Sequence, residues 1–125
     1  MKEREVDILN ELAKDIYQAN KEKGFWDGER NVGEMLMLIT SELGEAMEAH
    51  RKGKVSSWNE FYQNTTDTFK DNFQKNIKDT FQDEIADAII RLLDMAGGLG
   101  INIGNQIQFK LNYNQEREKL HGKNY

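Results

Sequence analysis

The chain has no cysteine and no proline among its 125 residues. Without thiols it can form no disulfide, offer no sulfur to a metal and use no cysteine nucleophile, which fits a reducing compartment. Without proline, no ring removes a backbone N–H or kinks a helix, and the few β-branched runs leave little to nucleate a sheet. No apolar run approaches the roughly 20 residues that cross a bilayer, and the opening MKEREVD lacks the apolar core of a signal peptide. A cytoplasmic protein with no membrane partner is therefore expected. Positive charge is also scarce: 17 Lys and Arg against 22 Asp and Glu give a net charge of -5, and no basic recognition helix stands out, so no nucleic-acid partner is expected. There is no GxxxxGK[ST] phosphate loop, no strand before GGLGINIG to make a dinucleotide fold, no ExxH pair for oxygen chemistry, and no Ser-His arrangement.

What is present is helical periodicity over a length suited to one domain. A first helix is predicted from about Lys2 to Lys21, where Val6, Leu9, Ala13, Ile16 and Tyr17 recur at helical spacing; GFWDGERN then reads as a loop. A second runs from about Val32 to Lys52 and stops at Gly53, a residue that takes the left-handed conformation without a Cβ clash. A third covers about Thr80 to Ala96 and ends at GGLG; a last one starts at Asn102, a good N-cap, and runs to about Lys119. Between them, about 55–78, lies an aromatic-rich insertion, partly helical, in which Asn64, Thr65 and Thr66 suggest a break and the aromatics suggest packing against the body or a subunit neighbour. The expectation is an all-α, four-to-five-helix bundle.

Two acidic pairs, Glu42 with Glu45 and Glu84 with Asp87, lie three residues apart in these helices. Each pair shares a helix face, so two packed helices would present four carboxylates to one point. Such a sulfur-free oxygen cluster suits a hard cation, Mg2+ with Mn2+ as a substitute, which keeps open positions for water and phosphate oxygens. On a wheel of about 100° per residue, Leu38 and Ala46 lie about 40° either side of Glu42, Met35 about 20° and Ile39 about 60° away. A carboxylate inside an apolar arc asks for a compensating cation. Glu45 lies at the border of that arc, beside Gly44, where the missing side chain leaves room for another helix or a substrate.

In the third helix Ile85, Ala86, Ala88, Ile89, Ile90, Leu92, Leu93 and Ala96 fill more than half the circumference, leaving a polar stripe of Asp83, Glu84, Asp87, Arg91 and Asp94. Such a helix is expected to be central. Taken alone, the stripe reads as a solvated face with Glu84 or Asp87 paired to Arg91. In the last helix Lys110, Asn114 and Arg117 follow i, i+4, i+7, which makes either a phosphate grip or an ordinary exposed face, and Lys123 could swing over the same site. Phe25 and Trp26 offer an aromatic face for a base, or a plug for the bundle's end. The run Arg51, Lys52, Lys54 could reach a phosphate or serve the helix macrodipole.

Taken together, Glu42-Leu-Gly-Glu45, Glu84-Ile-Ala-Asp87 and the flanks KGFWD, MLMLITSELGEAMEAHRKGK, EIADAIIRLLDMAG and KLNYNQEREKLHGKNY resemble the MazG-like all-α nucleoside triphosphate pyrophosphohydrolases, whose signature is an ExxE pair followed by an ExxD pair. One departure is that 38 residues separate Glu45 from Glu84, more than is usual in this family, the excess being the stretch from about Val55 to Lys78. The resemblance implies magnesium held by Glu42, Glu45, Glu84 and Asp87, and cleavage of a nucleoside triphosphate to the monophosphate and pyrophosphate by water attack at the α-phosphorus. It also implies a homodimer or homotetramer. Within that chemistry Glu45 is the favoured proton acceptor, and Lys110, Asn114, Arg117 and Lys123 would hold phosphate and sugar. The alternative is a non-catalytic helical interaction module whose acidic pairs are salt-bridged or hold a structural cation.

Overall fold

A computed structural model of the chain describes residues 1–117. It is all-α: six helices and no strand among the described residues, namely α1 (Glu3–Glu22), α2 (Val32–Arg51), α3 (Trp58–Gln63), α4 (Phe69–Asn76), α5 (Phe81–Gly98) and α6 (Ile103–Glu116). The four long helices lie where periodicity puts them, and the aromatic insertion supplies the two short ones. Contacts divide the chain into two compact units, one of Met1–Asp27 with the described residues from Leu93 onward, the other of Gly28–Leu92.

In the first unit α1 carries Glu3 and Glu5 in its first turn, where carboxylates complement the macrodipole. Its Val6 and Ala13 are buried, as are Leu93 and Ala96 of α5. Three glycines let backbones come close. A Cβ on Gly104 would meet the Val6 carbonyl, one on Gly97 the Ala13 carbonyl and Tyr17, and one on Gly98 the Trp26 ring. That explains why α5 continues two residues past the Ala96 end predicted from sequence: packing overrides a propensity cost of about 1 kcal/mol per glycine. Asn102 caps α6 as expected, its Oδ1 accepting from Asn105 N at 3.1 Å. Asn10 ties this cap to α1, donating to Asn102 Oδ1 at 2.8 Å and accepting from Gly104 N at 2.9 Å. At its other end α6 stops at Glu116, because Arg117 is extended (ψ 148°), so Arg117 is not part of the helical face that the spacing implied; the continuation to Lys119 lies outside the described residues.

The second unit is organised by α2. Its N-terminus is capped by Asn31, whose side chain accepts from Glu34 N at 2.9 Å, and it ends at Gly53 with φ +69°. Buried Met35, Ile39, Ala46 and Ala49 form one stripe at spacings of four and three, interrupted by Glu42 in the middle. The chain then returns to the start of α5: Phe81 N donates to the Lys54 carbonyl at 2.9 Å, and the Ser56 and Thr80 hydroxyls lie 2.7 Å apart. Between these segments α3 and α4 form a short helical pair. Asn64 closes the turn by accepting from Thr66 N and Asp67 N, and Thr68 caps α4. The buried positions of α4 are amides, not aromatics. Asn72 donates to the Phe61 carbonyl at 2.8 Å and accepts from Asn76 at 2.8 Å. Phe69, the first residue of α4, is 73% exposed in the single chain, its ring against those of Phe61 and Phe73.

The helix α5 buries Ala88, Leu93 and Ala96 of its apolar set but leaves much of the rest in solvent. Ile85, Ile89, Ile90 and Leu92 are exposed, Ile89 by 51%, while Glu84 and Asp94 of the polar stripe are buried and Asp83, Asp87 and Arg91 are half-buried. The solvated-face reading of this stripe is therefore corrected. On α2 the residues Val32, Leu36, Leu43 and Met47, spaced four, seven and four, are likewise exposed.

Candidate metal centre

All four carboxylates picked out by spacing lie in the second unit. Oxygens of Glu42, Glu84 and Asp87 lie within 4.8 Å of one another, close enough to share one ion. Two helices achieve this. In α2, Glu42 occupies a core position of the buried stripe; in α5, Glu84 and Asp87 are one helical turn apart on the inward side.

Arg91, one turn beyond Asp87, crosses from α5 to α2 and donates from Nε to Glu42 Oε1 at 3.0 Å. The arginine of the stripe thus pairs with the facing helix instead of with Glu84 or Asp87. It offsets one carboxylate and fixes its orientation.

Glu84 is the strained member. It is 5% exposed, and its Oε2 is buried with no hydrogen-bond partner among the described residues. Its carboxyl is pushed up from 4.5 to about 8, first by burial, then by hydrogen bonding of its protonated form to Glu45 and Glu42, and last by repulsion from Glu45 and Asp87. Asp87 is raised as well: burial first, then Asp83 and Glu42, with Arg91 acting in the opposite direction. Glu45, exposed at the edge of the group, is close enough to Glu84 to contribute to its shift.

The donor set is all oxygen and acidic, which fits a hard divalent cation, and the orphaned Glu84 Oε2 marks where a ligand oxygen is aimed without a partner. A cavity of about 230 Å3 adjoins the group. Glu45 and Glu84 line it with Glu48, Lys52, Lys54 and Asp79, and the Lys52 ammonium pairs with Glu48 at 3.3 Å. Lys54 is positioned by its own carbonyl, which accepts from Phe81 N. The only signal for this in the sequence was the cation run following the first acidic pair.

The other candidates lie in the first unit. Lys110 and Asn114 are exposed on α6, and Lys110 and Arg117 both approach the Tyr113 ring, at 5.1 and 5.9 Å from its centroid. Lys123 lies outside the described residues. Trp26 donates from its indole N–H to Asp94 Oδ1 at 2.9 Å and meets Tyr17 edge-on at 5.1 Å, which, with the contact at Gly98, makes it a packed residue of that unit. The Asp94 partner was not legible in the sequence, because it lies 68 positions from Trp26.

No protein-family model, curated protein or solved structure matches the chain.

Proposed function

We propose that the protein is a magnesium-dependent phosphohydrolase, and more narrowly a nucleoside triphosphate pyrophosphohydrolase of the MazG-like kind. The observation that carries this reading is the buried, unpartnered Glu84 oxygen within a carboxylate cluster that two ExxE/ExxD-type pairs build from α2 and α5. A helix that turns its acidic stripe inward and its isoleucines outward sacrifices burial energy, and a bound cation restores it by neutralising the crowded carboxylates.

Glu42, Glu45, Glu84 and Asp87 would hold the ion, with Mn2+ able to replace Mg2+. When bound, magnesium neutralises phosphate oxygens and lowers the pKa of a coordinated water. Arg91 keeps Glu42 in place. Glu45, at the open edge of the cluster, accepts the proton of the attacking water. Water forms a new bond to the α-phosphorus, the bond to the bridging oxygen breaks, and pyrophosphate leaves with both electrons of that bond. Lys52 and Lys54, beside Glu45 and Glu84, supply positive charge to the leaving pyrophosphate. The exposed apolar stripes of α2 and α5 support assembly with further copies of the chain, as a homodimer or homotetramer.

A panel of nucleoside triphosphates with magnesium, resolving pyrophosphate from orthophosphate, tests the reading. Monophosphate and pyrophosphate are expected, with turnover lost at least a hundredfold in Glu42→Gln and Asp87→Asn while helical circular dichroism is kept. Orthophosphate as the product, or unchanged turnover in both variants, overturns it. No turnover of any triphosphate by the unaltered protein returns the acidic cluster to a non-catalytic interaction module.

A further inference from the structure

The insertion that lengthens the chain between the two acidic pairs contributes to a second cavity, about 450 Å3, lined by Phe69, Phe73, Lys70 and Lys78 together with Asp83 and Asp87. Asp87 belongs to both this cavity and the metal cluster. Its aromatic wall is ready for a planar ligand: Phe69 and Phe73 lie 5.9 Å apart with their rings only 31° from parallel, and Phe69 is 73% exposed although Phe61 supports its edge at 6.0 Å. The buried Asn72–Asn76 pair takes the core positions of α4, leaving Phe69 exposed and Phe73 half-buried beside it. The acidic part of the lining is partly fixed. Asp79, at φ +61°, donates its N–H to Asp83 Oδ2 at 2.9 Å, leaving Oδ1 as an acceptor toward an incoming N–H.

We propose that this cavity receives the base of the nucleotide whose phosphates are held at the neighbouring acidic cluster, and that it prefers bases bearing an exocyclic amino group. The inference rests on the phosphohydrolase reading for its orientation: a triphosphate at Glu84 and Asp87 has its nucleoside end next to Asp87, and the aromatic wall begins there. Stacking on Phe69 and Phe73 is tolerant of base identity. Selection comes from the carboxylate wall, because Asp83 accepts from the amino group of cytosine or adenine and repels the carbonyl oxygen that uracil presents at the corresponding position. Lys70 and Lys78 flank the cavity, where ammonium groups suit the sugar and phosphate edge of the ligand. The role once open to Trp26 thus passes to the insertion.

Equilibrium titration of the full chain with CTP, UTP and inorganic tripolyphosphate in the presence of Ca2+ separates the base from the phosphates. Phe69→Ala, at an exposed position that leaves the fold intact, is expected to weaken CTP binding about tenfold and to leave tripolyphosphate within twofold. Phe73→Leu keeps an apolar side chain at a half-buried position while removing the ring, and is expected to act in the same direction. Asp83→Asn retains an oxygen for the Asp79 N–H and replaces the second acceptor with an NH2, so the preference for CTP over UTP is expected to fall at least fivefold. Equal losses for CTP and tripolyphosphate, no loss in either phenylalanine variant, or an unaltered CTP to UTP ratio in Asp83→Asn overturn the proposal. Phenylalanine-dependent CTP binding without pyrophosphate release in magnesium would sink the hydrolase and keep the base pocket.

Discussion

Glu84 concentrates the chemistry of the second unit in one carboxyl group. In the folded, metal-free chain it holds its proton up to about pH 8, whereas an unfolded chain releases it near 4.5. Across that window the folded state binds more protons, so stability falls as pH rises from about 4.5 to 8. Asp87, also raised, adds in the same direction, and Arg91 opposes it. Thermal unfolding in chelator is therefore expected to show a decline in Tm from pH 5 to pH 8 that Glu84→Gln flattens. Magnesium is expected to restore stability most at pH 8, where the carboxylate is available to it, and to have little effect on the variant. A chelated wild-type protein that gains stability relative to Glu84→Gln over this range would contradict the burial of that group. Much at this scale was readable in advance: spacing put the pairs on helix faces, and the neighbours of Glu42 put it in an apolar arc. That Arg91 would reach Glu42 was not readable, because 49 residues separate them and the pairing depends on how α2 and α5 meet.

The same division holds among the helices. The caps at Asn31 and Asn102 and the stop at Gly53 are local, since a side-chain oxygen or a positive φ acts within a few residues; Asn102 and Gly53 occur where the sequence put them. The run of α5 through Gly97 and Gly98 is not local; it follows from how closely Ala13 and Trp26 press on it. Gly104→Ala is expected to cost about 1 to 3 kcal/mol in denaturant unfolding, because the added Cβ meets the backbone carbonyl of Val6, which cannot rotate away as a side chain would. A neutral or stabilising outcome would show that α1 and α6 approach less closely than described. In the insertion Asn72 and Asn76 take the buried positions because each satisfies the other or a backbone carbonyl, while Phe69, against Phe61 and Phe73, keeps most of its surface exposed in the single chain.

For the molecule as a whole, hydrophobic pattern and burial disagree in one systematic way. Ile85, Ile89 and Leu92 of α5 and Leu36, Leu43 and Met47 of α2 are each aligned at helical spacing and each exposed, and among the described residues no helix is long and apolar enough to cross a membrane. Under the proposed homo-oligomeric assembly these stripes are covered by further copies. Sedimentation equilibrium is expected to give two or four times the 14.6 kDa chain mass, and Ile89→Lys or Met47→Lys to reduce it to one, since an unpaired ammonium in an apolar interface is disfavoured by several kcal/mol. A monomeric parent protein, or variants of unchanged mass, would remove these stripes from any self-association.

By itself the sequence determined an all-α chain, the places of its long helices, the cap at Asn102, the stop at Gly53 and the two pairs of acids, because periodicity, capping and side-chain spacing act over one or two turns. Only the tertiary structure decided which side of α5 faces inward, that Arg91 serves Glu42, that Glu84 is left with an unmatched oxygen, and that Trp26 belongs to packing while Phe69 does not. The physical reason is that burial is set by what each face meets across the fold. A helix reports its own polarity in sequence, but whether an acidic stripe is wet or enclosed depends on residues tens of positions away.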